Sequence, residues 1–232
     1  MDKHQTPGQI DFSSVLAAAV HDMKNSLCLL RQTIEQLART VDPTNQKATA
    51  HLANAHYEAA RLNTGLVQLL SLYRAEMENL PINVDEWFIE DVVEELISNN
   101  EVYIAHKNIA VTVDVEPHLS WFMDGDLVTL LLNDMLVNAT RYASSEIRLH
   151  IYVDAGLLVI EIEDDGPGYP KNMLDATQIA MPEYDISKGR TGLGVFFARL
   201  IATAHSHGDK HGEIVLANGG SLGGSVFTLK LP

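Results

Sequence analysis

The sequence predicts an α+β chain in two parts: an antiparallel helical hairpin over residues 1–80, then an α/β sandwich over residues 81–232. Three observations carry this. Leu16, Val20, Met23, Leu27, Leu30, Ile34, Leu37 and Val41 recur at alternating spacings of four and three, the a/d seam of a helix packed along its length. After Asp42-Pro43-Thr44-Asn45, where Pro43 cannot continue a helix, the pattern resumes at Leu52, Ala55, Ala59, Leu62, Leu66, Leu69 and Tyr73. Past Leu80-Pro81 it gives way to strand-like alternation broken by helical stretches.

The first helix is expected from about Phe12 to Val41, and the second after the turn. Each is about 30 residues and so ~45 Å long, with one narrow apolar seam. A lone hairpin cannot bury both seams, whereas two copies can do so as a four-helix bundle. A homodimer is therefore expected. In the second part, strands are expected at 109–115, 147–153, 157–162, 213–216 and 226–229. Helices are expected at about Glu86 to His106, Asp126 to Ala143 and Leu193 to Ser206. Strands grouped in hairpins with helices between them predict helices layered on one face of a mixed sheet.

Composition narrows the function. Formal net charge is −15, from 31 acidic and 16 basic residues, which repels a phosphate backbone and argues against nucleic-acid binding. A nucleotide ligand would need local backbone N–H groups, a metal ion or a few placed cations against that field. No apolar run approaches the ~20 residues of a membrane span, and no export signal opens the chain, so a cytoplasmic protein without membrane insertion is expected. The single cysteine, Cys28, agrees with a reducing compartment and is read as a small inert residue.

Four motifs carry chemistry. In His21-Asp22-Met23-Lys24-Asn25-Ser26-Leu27, Val20 at an a position puts His21 at b, outside the seam, with Asn25 one turn along the same face. An imidazole outside a packed seam, beside an acid and one turn from an amide, reads as a reactive one, though a surface helix carries histidines for no such reason. Asp164-Asp165-Gly166-Pro167-Gly168 follows a strand and offers a carboxylate beside backbone with no Cβ, as an adenine pocket needs; a plain turn has the same letters. Gly189-Arg190-Thr191-Gly192-Leu193-Gly194 opens a helix, where exposed N–H groups and the helix dipole favour an anion. In Asn133-Asp134-Met135-Leu136-Val137-Asn138-Ala139-Thr140-Arg141-Tyr142, Asp134 and Asn138 share a helix face, and an Asn amide oxygen is a hard-cation ligand.

In this order the motifs closely resemble those of the two-component sensor histidine kinases. The stretch from His21 to Leu27 is similar to that family's H-box, Asp134 to Tyr142 to its N-box, Asp164 to Gly168 to G1, and Thr191 to Gly194 to G2. The closing Gly223-Gly224-Ser225-Val226-Phe227-Thr228-Leu229-Lys230-Leu231-Pro232 resembles its last strand. The resemblance implies a dimerisation and histidine-phosphotransfer domain followed by a Bergerat-fold ATP-binding domain. It implies that His21 accepts the phosphoryl group, that Asp22 orients and deprotonates it, and that Asn25 orients a water in a phosphatase step.

It further implies Mg²⁺ on Asn138, the adenine amino group on Asp164, and nucleotide contacts from Asp134, Arg141, Tyr142, Gly166, Gly168, Thr191, Gly192, Leu193 and Gly194. The implied activity is autophosphorylation of His21 from ATP and transfer to an aspartate of a response-regulator receiver domain, with a separate sensor protein as a further partner. Two rivals keep the architecture: a non-catalytic histidine phosphotransferase with a degenerate nucleotide domain, and an ATP-binding scaffold or inhibitor.

The chain departs from the family pattern at Ser26, where proline is frequent, at Asp134, where asparagine is usual, and at Arg190, which replaces a glycine. Between Tyr169 and Lys188 no phenylalanine-rich F-box appears. His205, His207 and His211 are expected in a solvated loop, with a metal site as the sharper alternative. His51 and His56 lack the acid and amide that flank His21.

Overall fold

The computed structural model describes residues 82–176 and 192–232, together with individual residues between 23 and 65. His21, Asp22, Cys28, Pro43 and Thr191 lie outside the described residues, as do Leu16, Val20, Leu66, Leu69 and Tyr73 of the seams and the segment 177–190.

Every described residue in 23–40 and in 47–65 is helical, and the turn expected between the two runs is present. Asn45 makes it: its N–H donates to Asp42 O at 2.9 Å, and its side-chain oxygen accepts the Ala48 N–H at 3.1 Å, an N-cap for the second helical segment.

The second part is built from β1 (Asp85–Phe88), α1 (Ile89–Lys107), β2 (Ala110–Val115), β3 (Ser120–Met123), α2 (Gly125–Tyr142), β4 (Glu146–Asp154) and β5 (Leu157–Asp164). It continues with α3 (Lys171–Ala176), α4 (Gly192–Ala204), β6 (Ser206–His207), β7 (Lys210–His211), β8 (Glu213–Asn218) and β9 (Ser225–Leu231). The main sheet has the order β2-β4-β5-β9-β8; β2 and β4 are parallel and the other neighbours antiparallel, so the sheet is mixed as expected.

Period-two patterning sorts its faces. Ile147, Leu149, Ile151, Leu158, Ile160, Ile162, Phe227, Leu229 and Leu231 are buried in one core with residues of α1, α2 and α4. The opposite face carries Arg148, which pairs with Asp114 at 3.0 Å and Glu163 at 3.5 Å, and His150 stacked on Tyr152 at 4.5 Å. Among the described residues no helix is long and apolar enough to cross a membrane.

One boundary differs from expectation. Residues 86–88 are not helix but part of β1, which pairs antiparallel with β3, Trp87 opposite Trp121. The helix begins at Ile89 because that residue gives its N–H to Leu119 O at 2.9 Å, and Phe88 is extended. Asn108, at φ 54°, ends the helix in the left-handed conformation that asparagine tolerates. The short strands β1, β3, β6 and β7 carry too few residues to show a period.

Candidate functional site

Helix α2 positions the first group of residues. Its apolar face (Val128, Leu131, Leu132, Met135, Leu136, Ala139) is buried, which turns Asp134, Asn138 and Arg141, spaced four and three apart, together along another side. Asn138 is half-buried, and its amide is committed to no described residue. Asn133, one residue before Asp134, is instead held by the buried Asn100 of α1, whose amide donates to it at 2.8 Å.

The N-terminus of α2 is fixed by Asp124, whose side chain accepts from Leu127 N at 3.0 Å and from Asn83 N at 2.8 Å. The Asp124 N–H in turn donates to His205 Nε2 at 2.9 Å. That bond requires Nε2 to be the acceptor, so Nδ1 carries the proton and donates to Ile201 O at 2.8 Å. His205 is buried, with both ring nitrogens committed to joining the end of α4 to the start of α2. It is therefore not in a solvated loop, as the sequence suggested, and has no lone pair left for a metal. His207 and His211 are exposed on β6 and β7, and among the described residues no group of three His, Cys, Asp or Glu could hold a metal.

The end of β5 supplies the second group. Asp164 is 2% exposed, and its carboxylate accepts from Gly166 N at 2.7 Å, from Ser225 N at 3.3 Å and from the Ser225 hydroxyl. A carboxylate has about four acceptor positions. Among the described residues one therefore remains, suited to a single additional N–H.

A Cβ on Gly166 would lie 2.4 Å from Tyr142 O, so only glycine lets this turn pass the C-terminus of α2. Gly168, at φ +81°, has the left-handed backbone that glycine adopts without strain. Asp165 fastens the same turn to the start of β4: its carboxylate accepts from Ser144 N at 2.7 Å and from the Ser145 hydroxyl at 2.6 Å. The Ser145 hydroxyl and the neighbouring backbone N–H groups hold its carboxyl well below the usual carboxylate range.

Of the remaining residues named from sequence, Gly192, Leu193 and Gly194 form the first turn of α4, which packs against α2. Asn25 is exposed on the first helical segment. Arg141 and Tyr142, both exposed, lie at the last turn of α2; the Arg141 guanidinium donates to Tyr57 Oη at 2.9 Å. His56 is buried rather than presented on its helix. The structure thus brings the end of α2 against the Asp164 turn, with the start of α4 packed on the same helix.

Against known families, residues 123–232 match the model described as histidine kinase-, DNA gyrase B-, and HSP90-like ATPase. This part of the chain is similar to that ATPase family. The chain's curated relatives include proteins named as histidine kinases. The signal transduction histidine-protein kinase AfsQ2 of Streptomyces coelicolor is 27% identical over 176 residues, 75% of this chain and 31% of that protein. The sensor histidine kinase CssS of Bacillus subtilis is 26% identical over 187 residues, 80% of this chain and 40% of that protein. The chain thus spans about a third to two fifths of the length of these relatives. Among solved structures, the Acinetobacter baumannii histidine kinase AdeS shares the fold, with a TM-score of 0.59 and 22% identity over 91% of this chain and 96% of that one.

Sequence reasoning missed three side chains around Asp164. Ser225 sits in the closing strand, which was noted for its resemblance and not for its hydroxyl. Tyr169 shares a hydrogen bond with Ser225, and burial, with Asp164 nearby, pushes its hydroxyl up to about 12. Asn218 of β8 accepts from Tyr169 N at 2.6 Å and donates to Tyr169 O at 2.9 Å, which fixes the chain just after Gly168. The signal was available only in part: an isolated Ser, Tyr or Asn has no period, and the sheet order that gathers them is not local.

Proposed function

We propose that the chain is the core of an ATP-dependent protein-histidine kinase, dimeric through residues 1–80 and binding ATP through residues 81–232. The observation that carries this reading is Asp164: a buried carboxylate held by three donors, with one acceptor position left, beside turn backbone that lacks Cβ atoms. That arrangement fits the exocyclic amine of adenine. Asn138, half-buried and uncommitted among the described residues, fits a ligand to Mg²⁺ on the phosphate side, with Asp134, Arg141 and Tyr142 around it. Gly166, Gly168, Thr191, Gly192, Leu193 and Gly194 would border the nucleotide, with helix α4 directing its N-terminal N–H groups at the phosphates. When bound, Mg²⁺ would neutralise charge on the phosphate oxygens.

The reaction assigned to the hairpin is phosphoryl transfer. A His21 nitrogen attacks the γ-phosphorus, the bond to the bridging oxygen breaks, ADP leaves, and Asp22 takes the imidazole proton. Transfer to an aspartate of a receiver domain regenerates His21. Asn25, one turn further on, orients a water for hydrolysis of that aspartyl phosphate, which releases inorganic phosphate and restores the carboxylate.

Replacing Asp164 by Asn tests the carrying observation, because it removes a charge-assisted hydrogen bond worth ~1.5–3 kcal/mol. Calorimetry should show the wild type binding ATP with Mg²⁺ and Asp164→Asn binding it roughly ten- to a hundredfold more weakly. A wild type that binds no nucleotide would sink this reading in favour of the non-catalytic phosphotransferase.

A further inference from the structure

The last turn of α2, though exposed, touches the second helical segment. The Arg141 guanidinium donates to Tyr57 Oη at 2.9 Å and lies 5.7 Å from the Tyr57 ring centre and 5.3 Å from that of Tyr142. Tyr57 in turn packs on Tyr103 of α1, ring centres 5.2 Å apart. Beside this contact the two parts of the chain do not close up. An open groove of about 590 Å³ lies there, with Ala38, Leu52 and His56 on one wall and Val102, Ala105 and His106 on the other. Protein interiors are close-packed; beside the Tyr57 contact the two parts are packed less closely than that.

Arg141 stands three residues after Asn138 and one before Tyr142, whose carbonyl borders Gly166. We infer that Arg141 is a latch, which the hairpin's Tyr57 and the phosphates of a bound nucleotide cannot hold at once. The inference rests on the nucleotide reading above, and adds regulation of that site. The physical reason is geometric. Tyr57 takes both an N–H and a face of the guanidinium, whereas a phosphate takes the planar fork through two parallel charge-assisted bonds. An exposed cation–π contact and a hydrogen bond to a neutral hydroxyl are weaker than that pairing. Nucleotide binding therefore draws Arg141 away and frees the hairpin from α1. By reciprocity, a docked hairpin lowers nucleotide affinity by the same factor that nucleotide loosens docking.

The test uses the full chain with two variants, each checked for folding by circular dichroism. Tyr57→Phe keeps the ring and loses the hydrogen bond; Tyr57→Ala loses both. ATP titrated with Mg²⁺ should bind about twofold tighter to Tyr57→Phe and roughly fivefold tighter to Tyr57→Ala, the scale of one exposed cation–π contact plus one hydrogen bond. ATP should also speed amide hydrogen exchange across residues 98–106 in the wild type and leave it unchanged in Tyr57→Ala, where it is already fast. Wild-type or weaker affinity in both variants, or exchange at 98–106 that ATP leaves unchanged or slows, overturns the latch while leaving the nucleotide reading intact. If the wild type binds no ATP, the nucleotide reading fails and the latch fails with it, even where Tyr57→Ala speeds exchange. Should Tyr57→Ala not fold, Tyr57→Phe decides alone.

Discussion

Among the described residues Asp164 is buried without a cation in contact, and it is kept there by neutral donors: two backbone N–H groups and the Ser225 hydroxyl. Such a group is expensive to bury unless its lone pairs are met, which is why its neighbours are as constrained as it is. Tyr169 is one of them. Its hydroxyl, pushed up to about 12 by burial with Asp164 nearby, is neutral in the fold to higher pH than in the unfolded chain, where ~10 is ordinary. A raised folded value contributes stability that is complete below pH ~10 and is lost as pH rises toward about 12. Tyr103, also raised to about 12 by burial, behaves alike. Alkaline titration of the tyrosinate absorbance should therefore show a late-ionising fraction of the seven tyrosines, and Tyr169→Phe should remove part of it. An unchanged late fraction in Tyr169→Phe would contradict the assignment. At this scale the sequence made Asp164 legible, because an acid at a strand end before two glycines is a local pattern. Ser225 lies 61 positions away and becomes a neighbour only through the pairing of β9 with β5.

At the scale of elements, α2 positions the site, and its placement depends on a histidine expected in a solvated loop. His205 accepts the N–H of Asp124, the residue that caps α2, so the end of α4 sets where α2 begins. Truncating it leaves a buried N–H unmet and a cavity behind, together worth about 2–4 kcal/mol. His205→Ala should lower the urea midpoint accordingly, and His205→Gln, which keeps an acceptor near that N–H, should recover part of the loss. A change in His205→Ala below about 0.5 kcal/mol, typical of a surface substitution, would show that the bond does not hold the two helices. The helices and long strands were legible from periodicity. The start of α1 was not, because Asp85–Phe88 alternates over four residues only and its partner β3 lies 32 positions beyond it. The histidine triple misled for the same reason: spacing in a loop says nothing about which ring a distant backbone N–H will claim.

In the whole molecule, the two seams predicted for the hairpin are incompletely covered within one chain. Ile34 and Ala59 are buried, yet Met23, Leu30, Leu37 and Leu62 are 53%, 45%, 49% and 55% exposed. Large apolar side chains left exposed in a row mark an association surface, and their periodicity fits a second copy of the same hairpin. Light scattering should return a dimer mass at micromolar concentration for the wild type and a smaller mass for Leu30→Glu; a wild-type monomer would remove the bundle from the account. The period that reveals the seam lies in the sequence, whereas the partner that covers it does not.

The central claim is that phosphate moves from ATP onto His21, and γ-labelled ATP measures it directly. The purified chain incubated with Mg²⁺ and labelled ATP should acquire an acid-labile phosphoryl group. His21→Ala should acquire none while still binding ATP. Asn25→Ala should stay within about tenfold of wild-type labelling, roughly 1.4 kcal/mol of barrier, because orienting a water plays no part in attack on ATP. Label appearing on His21→Ala, or no label on a wild type that binds ATP, would contradict the account and leave an ATP-binding scaffold in its place.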